Sequence, residues 1–210
     1  VRPSWLLRLL NLSIAVLLLA LAAGGYWYAW RPLAQTSGQI SAPISAEARI
    51  ARDAQGVPHI QAASWQDAIF LQGYAMAQDR LWQMDGMRRR AAGELAEVAG
   101  TAAIESDQEA RRMNLRQIAQ AQEKALKPEE RVLMAAFARG INYFIETHRN
   151  RLPLEFTLLR YDPRPWSVRD SMLAGIELYR FLSNSWRGEL LKKKMLASGE
   201  RAKVEYLFPV

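Results

Sequence analysis

The first hydrophobic pattern along this chain is an unbroken one. Leu9 to Trp30 holds no charged residue, and its 22 positions would make a helix about 33 Å long, enough to cross a hydrocarbon core about 30 Å thick. Arg2 and Arg8 precede it, and Tyr26, Trp27, Tyr28 and Trp30 close it, as an aromatic belt does at a membrane–water interface. The pattern predicts a transmembrane segment within residues 1–31. Its basic end should stay cytoplasmic, so that everything after Arg31 lies outside. Ala20-Leu21-Ala22 offers a small-residue cleavage site, which keeps a removable signal peptide as the rival reading. The length of the run and its aromatic end favour the anchor. A buried core helix is disfavoured, because no polar face exists to orient it.

Residues 32–46 are rich in Pro, Ser, Thr, Gly and Gln without periodicity, the composition of a linker. The body, residues 47–210, opens with alternating positions Ala48 to Arg52, a turn at Asp53-Ala54-Gln55-Gly56 and a returning strand, Val57-Pro58-His59-Ile60. Pro58 lacks a ladder donor and belongs at an edge or strand end. From Trp65 the period becomes helical. Phe70, Tyr74, Ala77, Leu81, Met84, Met87, Ala91, Leu95 and Val98 step by three or four residues and form one stripe. Gly73, Gly86 and Gly93 predict at least one break in it. Further helices are expected over Asp107–Leu126, Pro128–Thr147 and Val168 to about Ser198. Pro128 suits the first helical position, with Glu129 and Glu130 in the first turn. Leu152–Phe156 and Asp162–Trp166 read as ordered turns.

Composition changes this picture little. Half of the residues are apolar and 23% are charged, which permits a core and argues against disorder. Setting aside Arg2 and Arg8, 26 basic residues face 21 acidic ones, an excess too small to demand a nucleic-acid partner. Arg88–Arg90 and Lys192–Lys194 diverge by about 100° per residue around a helix, so each reads as a solvated surface and not as a basic stripe. The absence of cysteine excludes a thiol nucleophile, a disulfide framework and a cysteine zinc site within this chain. His59 and His148, the two histidines, have no metal-ligand spacing. A nascent chain opens on methionine. Val1 therefore points to a shortened chain or a non-standard start codon, and the complete targeting pattern after it favours the start codon.

A self-sufficient catalytic site is not legible. There is no nucleophile-elbow serine, phosphate-binding glycine loop or calcium-binding helix-loop-helix. Asp79 with Arg80 reads as a structural ion pair, Glu94 and Glu97 as a salt-bridge face beside the arginine triplet, and His59 as a hydrogen-bonded structural residue.

Three blocks nevertheless stand out together. They are Arg52-Asp53 with Gly56–Ile60; Asp67-Ala68, Gly73-Tyr74 and Ala77–Met84 (AQDRLWQM); and Arg88-Arg89 with Gly93, Leu95, Glu97 and Gly100. Weaker echoes follow at Gly140–Asn142, Leu152–Phe156 and Pro165-Trp166. In order and spacing these resemble the opening of penicillin amidase family precursors. The resemblance implies an α+β fold: the mostly helical α-subunit part of a four-layer αββα N-terminal-nucleophile hydrolase, here preceded by one transmembrane helix. It implies a precursor that cuts itself into α and β subunits. The serine opening β is the nucleophile and its own α-amine, with an ordinary pKa of about 7.7–8.0, the base. No catalytic residue is then expected in this chain, and the serine is expected beyond Val210. Expected partners are the β subunit, the inner membrane and a small N-acyl amide substrate, and the expected location is the periplasmic side of that membrane, or the periplasm if the segment is cleaved.

What the α part of the family supplies is a wall of the acyl pocket and one ligand to a structural calcium ion shared with β. The resemblance maps these to Leu178–Leu190, with Arg180 and Phe181 at the substrate and Glu189 at Ca²⁺, a cation that takes oxygen ligands. Plainer readings exist: Phe181 as core, Arg180 paired with Glu177, and Glu189 paired with Lys192 or Lys193. The alternative function is a membrane-anchored helical interaction protein without activity. A spacer and then a serine opening a β-rich segment beyond Val210 would separate the two.

Overall fold

The computed structural model describes residues 5–183 and 185–208; Val1, Arg2 and Asn184, on which parts of the sequence reading fall, lie outside them. The chain is mostly helical. Helix α1 (Trp5–Gly25) runs on through a π turn, Tyr26–Trp30, so that one exposed apolar helix spans Trp5–Trp30 with mean hydropathy 2.3. The hairpin follows, β1 (Arg49–Arg52) with β2 (Pro58–Gln61). They are antiparallel, with Ile50 opposite Ile60 and Arg52 opposite Pro58. Then come α2 (Trp65–Ala92), the single-turn α3 (Ala96–Ala99), α4 (Ile104–Arg112), α5 (Leu115–Ala125) and α6 (Pro128–Thr147). The chain closes with α7 (Leu154–Leu159), α8 (Val168–Leu182), α9 (Trp186–Ala197) and α10 (Arg201–Leu207).

The core is the crossing of α2 and α6, which pack against each other more extensively than any other pair. Tyr74, Ala77, Leu81 and Met84 of α2 meet Ala138, Ile141, Phe144 and Ile145 of α6, with Phe156 and Trp166 closing one side. Two glycines set how near the axes come. A Cβ on Gly73 would stand 2.2 Å from the Phe137 carbonyl oxygen, and one on Gly140 would stand 1.9 Å from that of Phe70. The backbones therefore touch where the helices cross, as only glycine allows. Rings flank the contact: Tyr74 lies 5.7 Å from Phe144 and 6.0 Å from Tyr143.

Several boundaries follow local chemistry. Ser64 caps α2, accepting the Asp67 N–H at 3.1 Å, and Gly93 ends it in the left-handed region, φ 69°. Helix α6 starts at Pro128, where the Lys127 N–H donates to Glu130 at 2.9 Å. The stripe from Trp65 is broken as expected: it passes through Gly73 and Gly86 but kinks at Arg80 (φ −143°) and stops at Gly93. Three other boundaries differ from expectation. The helix expected over Asp107–Leu126 is two, parted at Asn114 (φ 58°), a residue that tolerates the left-handed region. The long helix from Val168 ends at Leu182 and a second starts at Trp186. The segment read as a turn at Leu152–Phe156 leads directly into α7.

The linker has no regular structure, yet it is tied down. The Ser45 N–H (3.1 Å) and Oγ both donate to the Asp67 carboxylate, Gln78 donates to the Gln35 carbonyl at 2.8 Å, and the Tyr143 hydroxyl donates to the Ser41 carbonyl. The Ser45 bonds hold the Asp67 carboxyl below the usual range. The hairpin docks through Arg52, whose guanidinium forks onto both Asp79 oxygens at 2.8 and 2.9 Å. Asp79 and Arg80 are thus not partners of each other; neighbours on a helix diverge, and Arg80 donates instead to Gln83. Asp53 closes the turn by accepting from the Gln55 and Val57 N–H groups and meeting His59 Nε2 at 3.1 Å. His59 is hydrogen-bonded as expected, and its contact is the main reason the Asp53 carboxyl is lowered.

His148 ends α6, stacked on Phe144 with centroids 4.3 Å apart and buried against Tyr74. Burial, then the Arg151 charge, pushes its pKa below the ordinary 6.5. Between the folded value and 6.5 the unfolded chain binds more protons, so stability rises with pH through that window and levels off above it. Urea midpoints measured across the window should trace this slope, and His148→Gln should flatten it. An equal slope in both chains would remove His148 as its source.

Candidate functional site

The segment that the resemblance marks lies at the end of α8 and the start of α9. Its position depends on a buried charge network that the sequence reading missed. Arg88, read as solvated, is fully buried, and Arg89 nearly so. The buried Asp85 accepts from Arg88 Nε at 2.8 Å, Arg89 Nε at 2.8 Å and the Tyr161 hydroxyl at 2.8 Å. Burial alone would raise the Asp85 carboxyl; the Arg88 charge and these donated bonds outweigh it and hold it low. The same burial and the Asp85 bond push the Tyr161 hydroxyl up. With its lone pairs occupied, Asp85 is an acceptor that fixes arginines and not a base awaiting a proton.

The arginine triplet organises the rest. Arg88 donates to the carbonyls of Arg164 (2.8 Å) and Pro165 (3.2 Å), lies over Trp166 at 4.8 Å and reaches Asp170 at 3.4 Å. Asp170 belongs to the capping box of α8, accepting from the Ser167 N–H at 2.8 Å. Arg89 meets Glu97 at 2.8 Å, the salt-bridge face expected for that glutamate. Glu94 instead pairs with Arg164 at 2.9 Å and with Arg116. Arg90 meets Glu177 at 3.7 Å. Helix α8 is therefore held at its start by Arg88 and at its middle by Arg90.

Near its end, Arg180 lies between Glu177 (3.0 Å) and Glu109 of α4 (3.6 Å). The plainer reading of Arg180 is thus realised, and the same pair of contacts fixes the orientation of the guanidinium. Phe181 is not core: it is 77% exposed, beside Tyr179 at 71% and Leu182 at 72%. These three and half-exposed Leu178 form an apolar surface of the kind that marks an interaction site. Glu189 is exposed in the first turn of α9. Among the described residues no group of three or more His, Cys, Asp or Glu could hold a metal ion. Ca²⁺ takes about 6–8 oxygen ligands, of which a lone accessible carboxylate such as Glu189 can supply at most two. The arginine triplet could have been read from its own geometry: three side chains about 100° apart cannot all face water on a packed helix.

A model of the penicillin amidase family matches residues 47–210. Penicillin acylase 2 proenzyme of Pseudomonas sp. (strain SE83) is 36% identical over 151 residues, covering 71% of this chain and 19% of that protein. Acyl-homoserine lactone acylase QuiP of Pseudomonas aeruginosa is 39% identical over 124 residues, covering 59% of this chain and 15% of the relative. A solved structure, a thermostable penicillin G acylase from Alcaligenes faecalis, matches with a TM-score of 0.61 at 28% identity. That match covers 77% of this chain and 89% of the matched chain. The chain thus spans less than a fifth of the length of these two curated relatives. By a family match that runs from the hairpin through α10, the chain belongs to the penicillin amidase family.

Proposed function

We propose that this chain is the α-subunit portion of an amidohydrolase that cleaves linear amides of N-acyl compounds, releasing a carboxylic acid and an amine. The observation that carries the reading is the pair of coverages. The chain matches 89% of one chain of a solved penicillin G acylase but only 19% of a penicillin acylase proenzyme, as a processed subunit would. The two relatives, a penicillin acylase and an acyl-homoserine lactone acylase, suggest the substrate classes. In this reading the serine nucleophile belongs to the β subunit, and this chain supplies a support. Arg180 and Phe181 line the acyl pocket, the apolar neighbours Leu178, Tyr179 and Leu182 form the surface that β covers, and Glu189 contributes to a calcium ion at the junction. Helix α1 anchors the assembly with its body on the periplasmic side of the inner membrane.

Expression of the complete reading frame tests this. A β fragment with serine at its new N-terminus should appear, and the assembled pair should hydrolyse phenylacetyl, aliphatic acyl or homoserine-lactone amides. A reading frame that closes shortly after Val210 would refute it. In the assembled enzyme Phe181→Ala should raise KM more than it lowers kcat, because it removes binding surface without touching the nucleophile. Glu189→Gln should lower calcium content and slow maturation, whereas Glu205→Gln, on an exposed pair with Arg201, should do neither. Glu177 is unsuitable as that control, being engaged by Arg90 and Arg180. Full calcium occupancy and normal processing in Glu189→Gln would make this residue a surface carboxylate.

A further inference from the structure

We propose that a cavity beneath the outer end of α1 binds the phosphate-bearing headgroup of an anionic phospholipid, in the leaflet where α1 ends. The inference rests on the membrane anchoring proposed above. Trp27 and Tyr28, from the aromatic turn that closes the apolar helix, form part of the wall; Arg149, Arg151 and Arg160, from the α6–α7 connection and the end of α7, form another part. The cavity measures about 260 Å³, below the roughly 300–1,000 Å³ of pockets that take drug-sized ligands. Its lining shares no residue with α8 or α9, so it is separate from the Arg180–Phe181 end.

Charge and depth point to the occupant. Asp162 is the one acidic residue of the lining against three arginines, and among the described residues none of those three guanidiniums has an ion-pair or hydrogen-bond partner. By contrast, Arg31 at the same helix end is already engaged over the Trp27 ring at 4.1 Å. Trp and Tyr settle at the headgroup level of a bilayer, which places the cavity at the depth of lipid phosphates. Guanidinium forks match phosphate oxygens in geometry, and any leaflet that contains anionic phospholipid presents those phosphates at the depth of the cavity. The arginines would hold the headgroup while the rings of Trp27 and Tyr28 lie along its glycerol and upper acyl region.

The test uses the full chain in phosphatidylcholine vesicles containing spin-labelled phosphatidylglycerol or spin-labelled phosphatidylcholine. Carbonate washing comes first: a chain stripped from the vesicles refutes the anchor itself, independently of lipid choice. For a retained chain, the immobilised fraction should favour phosphatidylglycerol by about fivefold or more, the effect of one basic residue at an anionic surface. The preference should fall to near unity in Arg149→Gln/Arg151→Gln/Arg160→Gln with helical content unchanged, weaken without vanishing when the three are lysines, which keep the charge but not the fork, and persist in Arg139→Gln. Equal retention of both lipids by the unaltered chain overturns the proposal. So does loss of the preference on adding inorganic phosphate alone, which would make the cavity a site for soluble anions.

Discussion

Asp85→Ala is expected to cost the chain about 3–5 kcal/mol, the usual consequence of removing one member of a buried ion pair. Arg88 would keep its full charge at zero exposure, and both Arg89 and the Tyr161 hydroxyl would lose an acceptor. The damage should spread to α8, because the same guanidinium reaches Asp170 and the carbonyls before it. Urea unfolding followed by far- and near-ultraviolet circular dichroism measures the loss. A drop under about 1 kcal/mol, the scale of an exposed ion pair, would mean that water reaches Arg88 and that the network is not a closed one.

Gly140→Ala should destabilise by about 3 kcal/mol, the upper end of the overpacking range. Helix propensity alone would favour alanine by up to about 1 kcal/mol. The new methyl, however, would lie 1.9 Å from a backbone oxygen and 2.9 Å from the Tyr74 nitrogen, and a main chain cannot swing aside as a side chain can. Gly86 is the matched contrast. It lies inside the same α2, and nothing stands within 4 Å of its added Cβ, so Gly86→Ala should be neutral or stabilising. Melting temperatures should rank Gly86→Ala highest, then the unaltered chain, then Gly140→Ala. If both substitutions behave alike, the axes are not in backbone contact.

Both results bear on what a sequence can disclose. The hairpin was legible because turn residues and alternation act within a dozen positions. Helix α6 was legible at both ends because Pro128 and its acidic first turn mark a start without reference to anything distant. The apolar stripe of α2 likewise gave its core face from Phe70 to Ala91, apart from the half-buried Met87. What escaped was set by partners far along the chain. Gly73 looks like a break until Gly140 lies opposite it. Arg88 looks solvated until Asp85, Asp170 and the carbonyls before Trp166 converge on it. Arg180, Phe181 and Glu189 came only from resemblance, since an exposed phenylalanine and an exposed glutamate carry no local signal of what covers them.

The tied linker has a mechanical consequence. A free coil the length of residues 32–46 would let the body roam over about 20 Å. Pinned at Gln35, Ser41 and Ser45 to α2 and α6, that segment is a strap and not a leash. With α1 in a bilayer, the body would ride at one height and one tilt above it. Under the proposed function, encounters with acyl compounds that partition into the bilayer would then become a search over a plane, with lateral diffusion in place of tumbling through a volume.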